Sequence, residues 1–356
     1  MARNIDNCSC FIVGKDATTT GKVLVGHNED DSSCVTQLHK VPRMTHKEGD
    51  VITFDDGPRV IPEVPETYAY CWSEVRGPGG ATFADGFANE FGVIVVTNSC
   101  VASKESEDDP QPKGIGDGLR RLIAERAKTA REGVQVAADL LAKYGYRSAR
   151  AYTIADKDEA WVFMATTGRN YVAQRVGDDQ IFYVPNWYNV RKVDFSDTEH
   201  MNFYWSDTLV EYPLKHSWYK PAVEGDYSDF DFSEAYITEG SFGPSNILRS
   251  DLAWSTITGE DPEKYRRTFS IKAPKKYSPD DLKALLRMHY TGWEEDLKSD
   301  PRMSPHRFGI CRDTTVESLV VEFNEVTELT CLWKTTLRPC TNPYVPFYLG
   351  MTKVPD

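Results

Sequence analysis

Short runs of hydrophobic residues near the N-terminus predict β-strands. Phe11–Val13 and Val23–His27 flank Asp16–Gly21, a segment rich in threonine and glycine that is typical of a hairpin turn. Gly92–Thr97 is a continuous, largely β-branched run, which indicates a strand buried on both faces. The stretch between these strands, up to about Pro65, is rich in turn residues and is interpreted as loops.

Helical periodicity is clearest in two places. Apolar residues recur at helical spacing from about Asp117 to Tyr144, and Gly133 is predicted to lie near a break between two helices there. Gly145 is a suitable C-terminal cap for the second of them. Another helix is predicted to begin at Ser278-Pro279, because serine caps helix N-termini and proline suits the first turn.

The remaining hydrophobic runs are short and alternate with turns, which predicts strands rather than helices. They are Ala151–Ala155, Trp161–Ala165, Tyr171–Val176, Ile181–Val184, Ser318–Phe323 and Leu329–Thr335. Residues 187–245 are aromatic and polar with little periodicity, so we interpret them as long loops over a surface or at a pocket rim. Neighbouring strands form hairpins instead of alternating with helices, and this favours antiparallel sheets packed with helices. The predicted fold class is α+β, a four-layer αββα sandwich formed by one domain over residues 8–356.

Composition and charge exclude some classes of function. The chain has 356 residues, 40% of them hydrophobic, and a net charge of -13. Nucleic acid and anionic membrane are not expected as partners, because phosphate binding needs clustered lysine and arginine. No apolar run reaches the roughly 18 residues of a membrane-spanning helix. Residues 1–7 lack the apolar core of a signal peptide, so a cytoplasmic location is expected, with secretion open if a signal peptide has been removed.

Cysteine and histidine spacing does not predict a metal site. The eight cysteines are Cys8, Cys10, Cys34, Cys71, Cys100, Cys311, Cys331 and Cys340. There is no C-x-x-C pair and no H-E-x-x-H motif, and the seven histidines are scattered. We therefore expect no metal and no organic cofactor. An even number of cysteines is compatible with disulfides, although a chain of this length does not need them.

The segment that begins at Cys8 resembles a known family. Cys8 leads directly into a strand that ends in Val13-Gly14-Lys15, and the second strand runs into Asn28-Glu29-Asp30. This arrangement resembles the beginning of the cysteine dipeptidases of the N-terminal-nucleophile (Ntn) fold, a family related to the secernins. In that family the mature chain begins with cysteine.

The resemblance extends over most of the chain. Ala84-Asp85-Gly86 and Asn89-Glu90-Phe91-Gly92-Val93 resemble the family's A-D-G…N-E-x-G-V stretch, and Val345-Pro346-Phe347-Tyr348 resembles a late element. The chain departs from the family pattern at Met164-Ala165 and Trp293, positions that could shape the substrate pocket.

The resemblance implies a nucleophile at Cys8, released by removal of a propeptide of residues 1–7. A free α-amine has a pKa of about 7.7 to 8.0, so the amine of the same residue can accept the thiol proton near neutral pH. The thiolate would attack the amide carbonyl to form a thioester, which water then hydrolyses. Cys10 lies on the same face of the strand and is the competing candidate, but only Cys8 has the family's spacing to Val13-Gly14-Lys15.

Four further residues are candidates for the site through the resemblance. Asn98 and Asn186, each at the end of a predicted strand, are candidate oxyanion donors, although strand-end asparagines also bind local backbone groups. Asp30 is the candidate acidic partner that orients the amine or the thiol region, and a solvated turn carboxylate is its alternative. His27 stands where related acylases carry arginine, and is a candidate for substrate binding as a pH-dependent cation. Those relatives also carry a distal arginine, for which Arg249 is only a guess.

The sequence therefore predicts a cysteine amidohydrolase that cleaves small peptides, with dipeptides as the leading substrate class. An acylase for another amide, such as a penicillin or an acyl-amino acid, is the enzymatic alternative on the same scaffold. A non-catalytic, secernin-like interaction protein is the alternative from a different class. A homo-oligomer is a weaker expectation of the resemblance.

Overall fold

The structure is a computed structural model that describes residues 8–31, 34–54, 57–77, 82–100, 102–112, 114–293, 306 and 309–354. The predicted propeptide, residues 1–7, lies outside the described residues. Within the described ranges, no helix combines the length and the apolar character needed to span a membrane.

The strands are short and fall mostly into two sheets. In chain order they are β1 Ser9–Val13, β2 Leu24–Asp30, β3 Val35–Val41, β4 Met44–Thr45, β5 Val51–Phe54, β6 Gly57–Pro62, β7 Glu66–Thr67, β8 Tyr70–Arg76, β9 Thr82–Asn89, β10 Ile94–Ser99, β11 Arg150–Ala155, β12 Ala160–Ala165, β13 Tyr171–Arg175, β14 Gln180–Val184, β15 Phe203–Trp205, β16 Ser270–Lys272, β17 Thr315–Glu322, β18 Cys331–Thr336 and β19 Val345–Tyr348. The α-helices are α1 Leu119–Arg126, α2 Ala130–Tyr144, α3 Glu211–Lys215, α4 Phe232–Tyr236, α5 Pro244–Thr258 and α6 Pro279–Leu286.

Both large sheets are antiparallel between neighbouring strands. One has seven strands in the order β16-β14-β1-β2-β17-β18-β19, and the other has eight in the order β15-β13-β12-β11-β10-β9-β8-β3. The predicted N-terminal hairpin is confirmed, because β1 pairs with β2 in the register Cys10↔His27. This hairpin lies in the middle of the seven-stranded sheet.

Side-chain alternation along the strands divides the core into layers. Ile12 and Val25 face the other sheet and pack in one cluster with Val96 and Val162, whereas Phe11 and Leu24 face the opposite way. The outward face of the seven-stranded sheet packs against α5 and α6, and that of the eight-stranded sheet packs against α1 and α2. The order helix, sheet, sheet, helix confirms the predicted four-layer αββα sandwich.

The break between α1 and α2, which was predicted near Gly133, lies at residues 127–129. Thr129 caps α2 by accepting a hydrogen bond from the backbone N–H of Glu132. Gly133 lies within α2, and a Cβ there would come within 2.8 Å of Ile154 Cγ2 on β11. The lack of a side chain at Gly133 therefore lets α2 approach the sheet closely. The residue does not mark the end of a helix.

Two stretches interpreted as loops carry more structure than predicted. The segment before Pro65 contains β3, which forms an edge of the eight-stranded sheet. Residues 187–245 contain β15, α3 and α4, and many of their aromatic side chains are buried in the core between the sheets: Trp187, Tyr188, Phe230, Phe232 and Tyr236. Their aromatic content reflects core packing, which has no simple period when the backbone is irregular.

Candidate active site

Cys8 lies immediately before β1 and is 1% exposed. Its Sγ donates to Glu29 Oε2 at 3.4 Å. This contact follows from the hairpin register, because Ser9 pairs with Asn28 and the preceding residue therefore lies opposite Glu29. Cys8, His27 and Glu29 form a cluster in which one ligand-type atom from each lies within 4.8 Å of the others. Glu29 belongs to the Asn28-Glu29-Asp30 motif but was not predicted as a site residue.

Arg249 connects the backbone of Cys8 to helix α5. Its fully buried guanidinium donates from Nη1 to the Cys8 carbonyl oxygen at 2.6 Å and to Ser9 Oγ at 3.1 Å. Nη2 donates to Asn186 Oδ1 at 2.7 Å and to Asn246 Oδ1 at 2.5 Å. Only a planar guanidinium offers enough directed N–H groups for such a set of acceptors. The structure thus brings Arg249, which was a guess from the sequence, into direct contact with Cys8.

His27 is buried on the same face of β2 as Glu29. Its Nε2 lies 3.1 Å from the Thr97 carbonyl oxygen, and its Nδ1 lies 3.5 Å from Asp85 Oδ2. Burial lowers the pKa of His27, more than the nearby Asp85 carboxylate raises it. At neutral pH the ring is therefore neutral and does not supply the cation that its predicted substrate-binding role requires.

Asp85 is a buried carboxylate that lies next to His27. Its Oδ1 accepts from Arg120 Nη1 at 2.8 Å, and the same nitrogen donates to Thr97 Oγ1 at 2.9 Å. Burial would raise the pKa of Asp85, but its interactions with His27 and Arg120, together with a hydrogen bond from Glu29, hold it below its ordinary value. Two buried carboxyl groups in contact do not both ionise. Asp85 keeps its negative charge at neutral pH, and Glu29 connects it to the Cys8 thiol.

Asp30 ends β2 and is 1% exposed. Its Oδ1 accepts from Thr315 Oγ1 at 2.5 Å, whereas Oδ2 has no hydrogen-bond partner among the described residues and lies 3.9 Å from Arg312 Nε. Burial raises the pKa of Asp30 to about 7, although Arg312, Thr315 and Arg249 act in the opposite direction. A buried carboxyl oxygen with an unused acceptor site is suited to an incoming N–H donor.

The two candidate oxyanion donors differ in how many of their amide hydrogens are already used. Asn98 Nδ2 donates to two backbone carbonyl oxygens, those of Val184 at 3.1 Å and Pro185 at 2.9 Å. Asn186 Nδ2 donates to the Ser99 carbonyl oxygen at 2.6 Å. Because Arg249 only donates, the side chain of Asn186 must present Oδ1 to it, and this determines the orientation of the amide. Asn98 thus ties β10 to the end of β14, while Asn186 has one amide hydrogen beyond its bond to Ser99.

Cys10, the competing nucleophile candidate, is embedded in the core between the two sheets. Its Sγ lies 3.3 Å from Thr153 Oγ1 on β11, and the side chain is fully buried. Burial raises the pKa of the Cys10 thiol to about 12, which leaves it protonated at neutral pH. A thiol in this state is a poor nucleophile.

A surface cavity among the described residues lies beside this site and is lined by other residues. It has a volume of about 750 Å³ and is lined by β3, β17, β18, β19 and the segment near Lys353. Glu317, in its wall, pairs in register with Glu29 on β2. The lining comes from strands of both sheets, and not from the aromatic segment 187–245 that is interpreted from the sequence as a possible pocket rim.

The structure therefore gathers most of the predicted residues around Cys8. Asp30 and Asn186 meet there through Arg249 and Arg312, and Asn98 and His27 lie in the adjoining layer between the sheets. Gly243-Pro244 and Gly259 mark the two ends of α5 in the sequence, but they do not indicate which residue of the helix faces Cys8. Glu29 was visible only as part of the Asn28-Glu29-Asp30 motif, since strand alternation alone does not say which carboxyl group reaches the thiol.

Comparisons with known proteins give relatives that are remote in sequence. The chain is 24% identical over 306 residues to a protein named "probable dipeptidase" from Latilactobacillus sakei, an alignment that covers 81% of this chain and 62% of that protein. It is 26% identical over 374 residues to "probable dipeptidase B" from Streptococcus pyogenes serotype M1, covering 96% and 72%. Dipeptidase A of Lactobacillus helveticus is 23% identical over 370 residues, covering 98% and 76%. The chain thus spans less than two thirds of the length of the first of these relatives.

Solved structures with a related arrangement are more distant still. Penicillin V acylase from Agrobacterium tumefaciens is 13% identical with a TM-score of 0.42, covering 92% of this chain and 83% of that one. A conjugated bile acid hydrolase mutant from Clostridium perfringens is 10% identical with a TM-score of 0.43, covering 96% of both chains.

A model of one family spans almost the whole chain. The description of that family is peptidase family C69, and the match covers residues 7–356. It includes Cys8, the β1–β2 hairpin and every side chain of the cluster described above. The match confirms the predicted resemblance, and the chain belongs to peptidase family C69.

Proposed function

We propose that this chain hydrolyses the amide bonds of small peptides, dipeptides first among them, with Cys8 as an N-terminal nucleophile after removal of residues 1–7. One observation carries the proposal. Arg249 holds the backbone of Cys8 and the amide of Asn186 together with one guanidinium, beside a thiol that contacts Glu29. Relatives of the chain are named dipeptidases, and these names support dipeptides as the substrate class.

The chemistry begins with the new α-amine of Cys8. It accepts the thiol proton, and the thiolate attacks the carbonyl carbon of the scissile amide. The amine then returns the proton to the leaving nitrogen as the C–N bond breaks, which leaves a thioester on Sγ. Water, deprotonated by the same amine, attacks the thioester and releases the acid, and the thiol regains its proton.

Positive charge near Cys8 suits the negative oxygen that forms during attack. The buried guanidinium of Arg249 donates to the Cys8 carbonyl oxygen, and that of Arg312 lies 3.9 Å from Asp30. Asn186 is the leading oxyanion donor, since its orientation is fixed by Arg249 and one amide hydrogen is beyond its bond to Ser99. Asn98 supports the site by holding the end of β14, from which the chain continues to Asn186.

Asp30 is proposed as the partner of the α-amine. Removal of residues 1–7 converts the backbone nitrogen of Cys8 into an amine with more hydrogens to donate. Asp30 Oδ2 is buried and has no hydrogen-bond partner among the described residues, so it can accept a hydrogen bond from the new amine. An ionised Asp30 would hold the ammonium form that appears after the thiol proton has moved.

The experiment compares wild-type protein with Cys8→Ala and Cys10→Ala. Intact-mass measurement reports whether residues 1–7 are removed, and a panel of unblocked dipeptides, N-acyl-amino acids and penicillin V reports the substrate class. We expect wild-type protein to begin at Cys8 and to hydrolyse dipeptides. Cys8→Ala should lose turnover, whereas Cys10→Ala, which removes a buried and protonated thiol, should keep most of it.

Two results would overturn the proposal. Full dipeptide turnover by a chain that still carries residues 1–7 would exclude the α-amine as the base. Turnover that survives in Cys8→Ala and disappears in Cys10→Ala would move the nucleophile. Preference for an acyl-amino acid or penicillin V over every dipeptide would retain Cys8 and assign the acylase function instead.

A further inference from the structure

A second cluster of nitrogen and sulfur side chains lies away from Cys8. His289, His306, Cys311 and Cys340 each contribute one ligand-type atom, and these four atoms all lie within 4.8 Å of one another. His306 Nδ1 lies 2.8 Å from His289 Nε2, 3.9 Å from Cys311 Sγ and 4.0 Å from Cys340 Sγ. We propose that these four side chains form a structural zinc site.

The separations suit one tetrahedral ion. Zinc binds thiolate sulfur at about 2.3 Å and imidazole nitrogen at about 2.0 to 2.1 Å, which places tetrahedral ligand atoms about 3.3 to 3.8 Å apart. The distances from His306 Nδ1 to the two sulfurs are a few tenths of an ångström longer than this. The distance between the two histidine nitrogens is shorter, because without a metal they share a hydrogen bond. Small side-chain rotations are enough to close the four atoms around an ion.

Three separate segments are already held in place at this point. His289 follows α6, and the backbone N–H of Cys311 donates to the Met288 carbonyl oxygen at 3.1 Å. Arg287 Nε donates to the carbonyl oxygen of Pro339, the neighbour of Cys340, at 2.8 Å. The backbone that carries three of the ligands is therefore positioned by bonds that do not involve the ligand side chains. Such preorganisation lowers the cost of binding an ion.

The ligand set selects the kind of metal and the kind of site. Two cysteines and two histidines form a closed N/S set, which is typical of structural zinc, whereas magnesium, calcium and manganese prefer oxygen. Both cysteines are free thiols in the structure. On binding, the two thiol protons go to solvent, and two thiolates balance the charge of Zn²⁺. Cys311 is fully buried while Cys340 and the two histidines are half-buried, so the ion has a path from solvent.

The position of the proposed zinc site indicates which segment the ion would stabilise. Cys311 stands between Ile310, whose carbonyl oxygen accepts from Asn28 Nδ2 at 2.9 Å, and Arg312, which approaches Asp30. Arg312 Nη1 also donates to Ser245 Oγ at 2.7 Å. A zinc ion would therefore hold the segment that backs β2 and presents Arg312 to the candidate active site. The metal test below does not depend on the proposed peptidase activity.

The spacing of these ligands explains why the sequence did not indicate a metal. His289 and Cys340 are 51 positions apart, and neither forms a short motif with its neighbours. The expectation of no metal rested on the absence of C-x-x-C and H-E-x-x-H, which detect ligands that are close in the chain. The ligands here come from segments after α6, before β17 and after β18, which are brought together by the fold.

The test is the metal content of purified full-length protein whose affinity tag has been removed. Inductively coupled plasma mass spectrometry should find about one zinc per chain in wild-type protein. Cys340→Ser and His289→Gln should lose most of it. Cys331→Ser removes a buried thiol of β18 outside the cluster and should keep it, as should Cys8→Ala, which disrupts the other Cys/His group. Replacement of zinc by Co²⁺ should give the visible ligand-field bands of tetrahedral cobalt and a near-ultraviolet thiolate band.

Several outcomes would overturn the proposal. Wild-type protein that holds no zinc after expression with added zinc, and that gives no tetrahedral cobalt spectrum, has no such site. A non-reduced mass lower by two hydrogens, abolished by Cys340→Ser, would assign the pair as a Cys311–Cys340 disulfide. Zinc lost in Cys8→Ala but kept in Cys340→Ser would place the metal at the other cluster. The cobalt spectrum of wild-type protein keeps the proposal testable even if a ligand variant fails to fold.

Discussion

Arg249 donates to the carbonyl oxygen of Cys8 at 2.6 Å, so the proposed nucleophile is held through its backbone as well as through the contact of its thiol with Glu29. The same guanidinium reaches Asn186 Oδ1 at 2.7 Å. The spacing between the proposed nucleophile and the proposed oxyanion donor is thus defined by one rigid, planar group. This relationship makes Arg249 a positioning residue for both.

Replacement of Arg249 by lysine should therefore damage catalysis even though the charge is kept. A single ammonium cannot span Cys8 and Asn186, and loss of their alignment is expected to lower kcat by about 10²-fold or more. Arg266→Lys is the matched control, since Arg266 forms a two-point pair with Asp251 at the surface. Steady-state kinetics with thermal melts of both variants measure this. Normal kcat in a well-folded Arg249→Lys variant would contradict the positioning role.

The two asparagines should give opposite patterns when each is replaced by alanine. Asn186→Ala should lower kcat by about 10² to 10³-fold, the value of one oxyanion donor. Asn98→Ala leaves the carbonyl oxygens of Val184 and Pro185 without their donor and should cost about 1 to 3 kcal/mol of stability. Urea unfolding and kcat on the same samples separate the effects. A stable Asn98→Ala variant with the larger kcat loss would make Asn98 the donor.

The parts that were predicted from the sequence depend on local signals. Strand alternation on either side of a Gly- and Thr-rich turn gave the β1–β2 hairpin, and with it the placement of Cys8 opposite the Asn28-Glu29-Asp30 motif. The order of short strands and amphipathic helices gave the layered architecture. These features need only information from neighbouring residues.

The parts that were missed depend on packing between distant segments. Helix α5 buries residues on several sides, including Arg249, Leu252 and Trp254, so it lacks the one-sided pattern that reveals a surface helix. A glycine in a helical pattern suggests a nearby helix end. The close approach of Gly133 to Ile154, which is its actual role, cannot be seen from either segment alone. The contacts of Asp85 with Glu29 and with Arg120 join β2 to β9 and α1, which are far apart in the chain.

Glu29 should tolerate glutamine far better than alanine. Its carboxyl group is hydrogen-bonded to Asp85 and accepts the Cys8 S–H, and a glutamine amide, which carries both donor and acceptor atoms, can make both bonds. We expect Glu29→Gln to keep kcat within about tenfold of wild type, and Glu29→Ala to lose more because buried polar partners are left unpaired. Kinetics across pH on both variants test this. A glutamine variant as inactive as the alanine variant would mean that Glu29 acts as a charged carboxylate or transfers a proton.

The pH dependence of stability should report the ionisation of Asp30. Burial raises the pKa of Asp30 to about 7 in the folded chain, whereas an unfolded aspartate has a pKa of about 3.9. The folded state therefore holds a proton that the unfolded state has released, and the resulting stability is full below about pH 4 and is lost as the pH rises towards 7. Within this window the free energy of unfolding should fall by at most about 1.4 kcal/mol for each pH unit. Asp30→Asn cannot titrate, so its stability should fall less over the same range.

The comparison is sharpest in the Cys8→Ala background, in which residues 1–7 should stay attached. There, urea unfolding from pH 4 to pH 8 should show stability falling with pH when Asp30 is present and a flatter profile in Cys8→Ala/Asp30→Asn. In processed wild-type protein the new α-ammonium should pair with Asp30 Oδ2 and lower the pKa of that carboxyl group, because an adjacent positive charge favours the ionised form. The fall in stability should then shift to lower pH or disappear. If processed protein and the unprocessed Cys8→Ala variant showed the same Asp30-dependent profile, the α-amine would not be the partner of Asp30, and the acceptor site on Oδ2 would serve another donor.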